Sequence, residues 1–207
     1  MIDFVGLSAV AAAFFIVTVS PGPATIAAAT VSMSSGRKNG ILFGAGLSCG
    51  LAFWGVIAAT GLGAILQGSA HMLTALKLFG GAYLLWLAYK SARSALQKSD
   101  AINSLEDTGK WFRRGLVLNL SNPKAVFAWM AALSMGMNAD QGAPQVIAAT
   151  AICMVLGSLC YAGYTLAFSL SGVMAAYQRI RRWVDSAVAG LFAIAGIGMI
   201  RSVFAKQ

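Results

Sequence analysis

Between Asp3 and Arg37 the chain carries no charged residue, and near the middle of that interval stands Ser20-Pro21-Gly22-Pro23. A straight helix over those residues would run roughly 50 Å, against a hydrocarbon core of about 30 Å. The interval must tilt, project or break, and the prolines supply the break, since each lacks a backbone donor and crowds the preceding turn. In a bilayer a freed carbonyl persists only where protein or a water-filled cavity satisfies it. A second interruption, Asn122-Pro123-Lys124, falls inside a later apolar stretch. Two broken helices at matching places in two halves are the pattern of a transporter, with a substrate site between repeats.

Composition agrees. Of 207 residues, 58% are hydrophobic and 10% charged, whereas a soluble domain carries about 25% charge. Too little polar surface remains to cover a globule, so the lipid bilayer is the expected solvent and partner. The expected fold is all-α and integral to the membrane. Six apolar segments can be drawn at 4–33, 40–66, 73–96, 115–136, 145–170 and 183–204. They form a single transmembrane domain over 1–207, with repeat one at 1–96, a cytoplasmic loop at 97–114 and repeat two at 115–207.

Charge sets the expected orientation. Loops 1–2, 3–4 and 5–6 with their flanks hold Arg37, Lys38, Lys90, Arg93, Lys98, Lys110, Arg113, Arg114, Arg179, Arg181 and Arg182. The other side holds Lys77, Arg201 and Lys206, and Lys124 belongs to neither. Basic residues mark cytoplasmic loops, so both termini are expected outside. Three helices per half then make the halves inverted repeats, with helices 1 and 4 broken. The same clustering explains the net charge of +9 without a nucleic-acid partner. No basic region precedes the first segment, which is read as a retained membrane helix rather than a cleaved signal.

Several residues carry candidate chemistry. At the first break, exposed backbone groups with the Ser20 and Thr25 hydroxyls could bind the polar ends of a small zwitterion; the alternative is a packed kink at Pro21, Gly22 and Pro23. At the second, Asn119, Ser121, Asn122, Pro123 and Lys124 put four polar side chains and a proline into one apolar segment. A lysine at membrane depth costs roughly 2.5–3.5 kcal/mol on insertion scales, so Lys124 is expected to meet a cavity, a carboxylate or carbonyls. It would contact an anionic substrate group or gate; the alternative is that it reaches an interface or caps the break. Asp185, at the cytoplasmic start of segment six, either balances Arg181 and Arg182 or takes part in coupling. Cys49, Cys153 and Cys160 show no CxxC spacing, which supports neither a disulfide framework, a metal site nor an electron carrier. The apolar segments also lack the density of His, Asp and Glu that an intramembrane enzyme would need, and no cofactor is expected.

Glycines at 40/44 and 46/50 have small-xxx-small spacing, which packs helices closely within one protomer or between two. Tyr83, Trp86, Tyr89 and Trp183 read as lipid-facing or packed aromatics with an interfacial role as the alternative.

Five runs occur in order along the chain: Ser20-Pro21-Gly22-Pro23; Gly36-Arg37-Lys38-Asn39-Gly40; Leu76 to Leu87, with Gly80-Gly81 and Trp86; Phe112-Arg113-Arg114-Gly115; and Asn119 to Ala125. On these the chain resembles the lysine exporter/homoserine-threonine resistance family of amino-acid exporters. The resemblance implies six-helix export of small amino acids or their derivatives from bacteria across the inner membrane, by proton-coupled antiport. A homodimer is a further expectation, from the resemblance and the glycine spacing. Related sequences often place Asp or Asn directly after the Pro-Gly-Pro, where this chain has Ala24. A non-amino-acid amine or a metal cation is the alternative cargo on the same fold.

Overall fold

The computed structural model describes residues 3–68, 70–96, 109–135, 142–170 and 172–204. Among them lie eight helices and no strand: α1 (Phe4–Val19), α2 (Pro23–Ser34), α3 (Gly36–Gly68), α4 (Ala70–Leu96), α5 (Trp111–Leu120), α6 (Pro123–Met135), α7 (Ala143–Ala167) and α8 (Val173–Phe204). Helices α3, α7 and α8 are long and apolar enough to cross a membrane, and a fourth candidate forms when α1 and α2, bent by 53° at their break, count as one span. Most of the hydrophilic stretch expected at 97–114 lies outside the described residues, and its end is already helical from Trp111.

The helix ends follow local chemistry. Asp3 caps α1, its carboxylate accepting from the Gly6 N–H at 3.0 Å. Proline opens α2 and α6 at the first helical position, where a missing donor costs nothing. One boundary departs from the apolar pattern. Helix α8 begins at Val173 rather than 183, so Arg179, Arg181 and Arg182 are helical residues, not loop residues. Arginine is a good helix former, and its long stem keeps the charged head in water: Arg179 and Arg182 are exposed.

The packing is built on glycine crossings. In α3 a Cβ at Gly46 would stand 2.0 Å from the Phe112 carbonyl oxygen of α5; in α5 one at Gly115 would stand 2.1 Å from the Phe43 oxygen of α3. The two backbones touch through reciprocal glycines, and their contacts run in the same order, so α3 and α5 are parallel. Gly81 of α4 and Gly196 of α8 meet in the same way, each facing the other's carbonyl at 3.2 and 2.9 Å, in an antiparallel pair. Gly40 and Gly44 pack against Ser32 and Thr165. The small-residue spacing is thus used inside one protomer, where lipid offers no hydrophobic drive and close van der Waals contact must supply it.

Helix α1 lies parallel to α7 and is tied to it at both ends. The Asp3 N–H donates to Gln145 Oε1 at 3.0 Å and Gln145 Nε2 donates back to the Asp3 carbonyl at 2.9 Å. At the far end the Tyr164 hydroxyl donates to the Val19 carbonyl at 2.8 Å. The core between these helices centres on Trp129 of α6, fully buried, with its ring 4.5 Å from that of Phe14 and its N–H donating to the Leu51 carbonyl of α3.

Gly115→Ala is expected to force α3 and α5 apart and to destabilise the folded protein by about 1–3 kcal/mol, the ordinary cost of overpacking. Gly163→Ala, with nothing within 4 Å of the added methyl, is expected to be silent. Thermal unfolding of both variants in detergent checks the contrast.

Candidate functional site

A proline break releases specific carbonyls, and their new partners can be followed one by one. Pro21 has no N–H for the Val17 carbonyl; the Ser20 hydroxyl donates to it instead at 2.7 Å. Pro23 has none for Val19, whose carbonyl takes the Tyr164 hydroxyl. The Ser20 carbonyl accepts from Lys124 Nζ at 2.7 Å, and the same ammonium donates to Ser20 Oγ at 2.6 Å. Beyond the break the Gly22 N–H donates to Thr25 Oγ1 at 2.9 Å, and that hydroxyl returns a bond to the Gly22 carbonyl at 3.1 Å.

The second break is resolved by the same logic. Pro123 cannot donate to the Asn119 carbonyl, which accepts from the Asn122 N–H at 3.1 Å. The Lys124 N–H turns to Asn122 Oδ1 at 3.1 Å, so Asn122 caps α6. The Leu120 carbonyl accepts from the Trp54 indole of α3 at 3.2 Å. Asn119, fully buried, holds α5 in place through its amide N–H groups, which donate to the Leu47 carbonyl and, at 3.3 Å, to the Tyr161 hydroxyl.

Lys124 therefore joins the two breaks directly. Its ammonium rests on the carbonyl end of α1, where the helix dipole is negative. Gly22 permits the approach: a Cβ there would lie 3.0 Å from Lys124 Nζ and 3.2 Å from Cδ. This is a contact that caps the broken helix, one of the readings the sequence left open.

Beside this junction lies a cavity of about 320 Å³. Its walls are Ser20, Pro21, Gly22 and Pro23 from the first break, Asn122, Pro123 and Lys124 from the second, Tyr83, Trp86 and Ser94 of α4, and Arg181, Asp185 and Phe192 of α8. A second cavity of about 140 Å³ lies between α2, the end of α7 and the start of α8; a third, of about 20 Å³, has Thr18, Thr25, Asn122, Lys124 and Tyr161 on its walls. That third volume is enough for about one water.

The structure thus brings Ser20, Pro21, Gly22, Pro23, Asn122, Pro123, Lys124 and Asp185 to one cavity. Thr25 lines the two smaller ones, with Ala24 at the smallest. Asn119 lines none of the three and acts as a tether. Ser121 is exposed at the end of α5 and lines none either. Asp185 is buried and pairs with Arg181, one of the two arginines it is expected to balance: Ser94 Oγ donates to its Oδ2 at 2.7 Å and Arg181 Nε stands 3.5 Å from the same oxygen.

Sequence reasoning missed Tyr164, Ser94 and the lining role of Tyr83. Tyr83, read as a lipid-facing or packed ring with an interfacial role as the alternative, is packed: it stacks on Phe127 of α6 at 4.2 Å, and its hydroxyl, shielded from solvent, has no partner among the described residues. Trp86 is 45% exposed, with the Lys90 ammonium 4.7 Å above its ring. The donors that satisfy the breaks come from helices whose rotation the sequence does not reveal.

A family model described as LysE type translocator matches residues 15–202. A threonine efflux protein of Salmonella typhi is 31% identical over 198 residues, which cover 93% of this chain and 96% of that protein. A threonine efflux protein of Escherichia coli (strain K12) is 30% identical over 199 residues, covering 93% and 96%. A leucine efflux protein of Enterobacter sp. (strain 638) is 32% identical over 123 residues, 58% of each chain. No solved structure matches.

Lys124→Met keeps the stem and removes the ammonium, leaving the buried Ser20 carbonyl without its donor. The expected loss is about 1–3 kcal/mol of stability. Thermal unfolding in detergent checks it, with Ser20→Ala, which takes the donor from the Val17 carbonyl as well as one acceptor from Lys124, expected to lose a comparable amount.

Proposed function

The chain belongs to the LysE type translocator family, and from that premise we propose that it is a secondary active exporter of amino acids or small amino-acid derivatives. The observation that carries the reading is a cavity onto which both helix breaks, the Lys124 ammonium and one buried carboxylate open together. A zwitterion needs both signs of charge at one site. Lys124 offers a donor to the α-carboxylate; Asp185 and the backbone oxygens of the first break offer acceptors to the α-ammonium. The volume lies at the small end of the roughly 300–1,000 Å³ range of small-molecule sites, which suits a compact substrate. The similarity to threonine efflux proteins over nearly the whole chain makes threonine the first substrate to test.

Transport follows from the repeat reading: six spans in two inverted halves, α1/α2, α3 and α4 against α5/α6, α7 and α8. Packing supports this division. The parallel pair α1 and α7 has its counterpart in the parallel pair α5 and α3, while α3 with α7 and α4 with α8 each pair across the halves. Rocking of one half against the other would open the cavity to each side in turn. The basic residues near Lys90, Arg93, Arg179 and Arg182 orient that end of the cavity to the cytoplasm, with both termini outside the inner membrane. Coupling is to protons, in antiport, with Asp185 and Lys124 as the ionisable groups of the site.

The test is efflux from bacterial cells loaded with dipeptides, profiling every extracellular amino acid with and without the protein. Selective release of threonine or a few other small amino acids is expected. Lys124→Ala and Asp185→Asn, each confirmed in the membrane, are expected to lower that release by about tenfold or more, the effect of losing one charge-assisted contact. Release of no amino acid by the inserted wild type would overturn the reading and turn the screen to amines and metal cations.

A further inference from the structure

The two larger cavities share a wall. Pro21, Ile26 and Arg181 line both, so the 320 Å³ and 140 Å³ spaces are neighbours with these three residues between them, and Arg181 is the charged one. Arg181 is held there from two sides: its Nη2 donates to Ser94 Oγ at 3.1 Å, and its Nε stands 3.5 Å from Asp185 Oδ2. Ser94 closes the triangle by donating to that carboxylate oxygen. The latch therefore ties the end of α4 to the start of α8 and places a fixed guanidinium over the buried carboxylate lining the larger cavity.

The charge balance of that cavity is one-sided. Lys90, Lys124 and Arg181 line it against Asp185 alone. Lys90 lies over Trp86 and Lys124 is bonded to Ser20, but neither partner is an anion, so both positive charges remain in the field of the site. A substrate whose own charges cancel can be seated between Lys124 and Asp185. One with an extra side-chain ammonium would meet an excess of cations, and the space beyond Pro21, where a longer side chain could extend, is closed by the arginine. Like charges set against each other are a standard device for refusing a wrong partner.

We infer that Arg181 is the substrate filter of this site, admitting amino acids with neutral side chains and refusing basic ones by holding Asp185 and walling off the second cavity. This rests on the export reading above and adds to it the class of substrate and the residue that sets it. Replacing Arg181 by a small residue removes one of the three residues shared by the two cavities, together with the cation beside Asp185. The second space then offers room for a longer side chain, with the Tyr164 and Tyr177 side chains on its walls, while Asp185 stays on the larger cavity to take the α-ammonium.

The experiment compares threonine and lysine release from cells loaded with threonyl and lysyl dipeptides. Wild type is expected to release threonine and to leave lysine at the level of empty cells. Arg181→Ala is expected to raise the lysine-to-threonine release ratio about tenfold or more, the scale of one lost charge repulsion. Arg181→Lys, which keeps the charge, is expected to hold the wild-type ratio, and adding Asp185→Asn to Arg181→Ala is expected to abolish the gain. Arg181→Gln serves in place of the alanine variant should that one fail to insert. An inserted variant that releases threonine but still no lysine overturns the filter, as does a wild type that itself releases lysine. A wild type that releases no amino acid overturns the export reading instead, so the two failures are separable. Thermal stabilisation of the purified wild type is an independent arm: threonine is expected to stabilise it and lysine not, and equal stabilisation by both overturns the proposal.

Discussion

The architecture depends on one contact, the Lys124 ammonium on the carbonyl and hydroxyl of Ser20. It answers two problems that neither half of the chain can solve alone. An unpaired lysine among apolar helices is expensive, and so is an unpaired carbonyl. Placed together each becomes the other's partner, at the one point where α1 ends in a negative dipole and α6 begins. The approach needs Gly22, and the two breaks must lie side by side, which in turn fixes how α1, α2 and α6 are arranged. The cavity is what remains where these broken ends cannot fill space as continuous helices would.

The remaining carbonyls show how economically the breaks are resolved. Ser20, Tyr164 and Trp54 each supply one donor to a carbonyl that a proline or a turn has released. Two of those donors are amphipathic rings, apolar over most of their surface and polar at one atom, so they satisfy the backbone while still packing as core. Glycine does the complementary work. Where α3 meets α5 and α4 meets α8, the absence of a side chain lets backbones touch, and the polar breaks are held in a scaffold with little slack.

How much of this is legible in the chain divides along a physical line. Proline, glycine and a lysine within an apolar run act through their own backbone and charge, so both breaks and the unusual position of Lys124 can be read directly from residue order. The burial of Asp185 cannot. Residue order sets Asp185 beside Arg181, its ion-pair partner, but does not reveal that α8 already begins at Val173 and turns the carboxylate onto Ser94 of α4. Asn119 and Ser121 make the same point. Asn119 lies in the last turn of α5 and Ser121 caps its end, so they face different directions, one sealed against α3 and the other exposed. Residue type and proximity to a proline do not distinguish them; helix rotation does.

A helix interrupted by proline differs from one that merely melts. A melted turn can regain its hydrogen bonds, and a protein that opens and closes such a turn meets the energetic cost anew each time. Pro21 and Pro23 have no hydrogen to give back, so the gap between α1 and α2 is permanent. Its cost is settled once, when the chain folds. The carbonyls left behind take their partners from outside the helix, and the 53° bend is written into the covalent chain rather than imposed by packing.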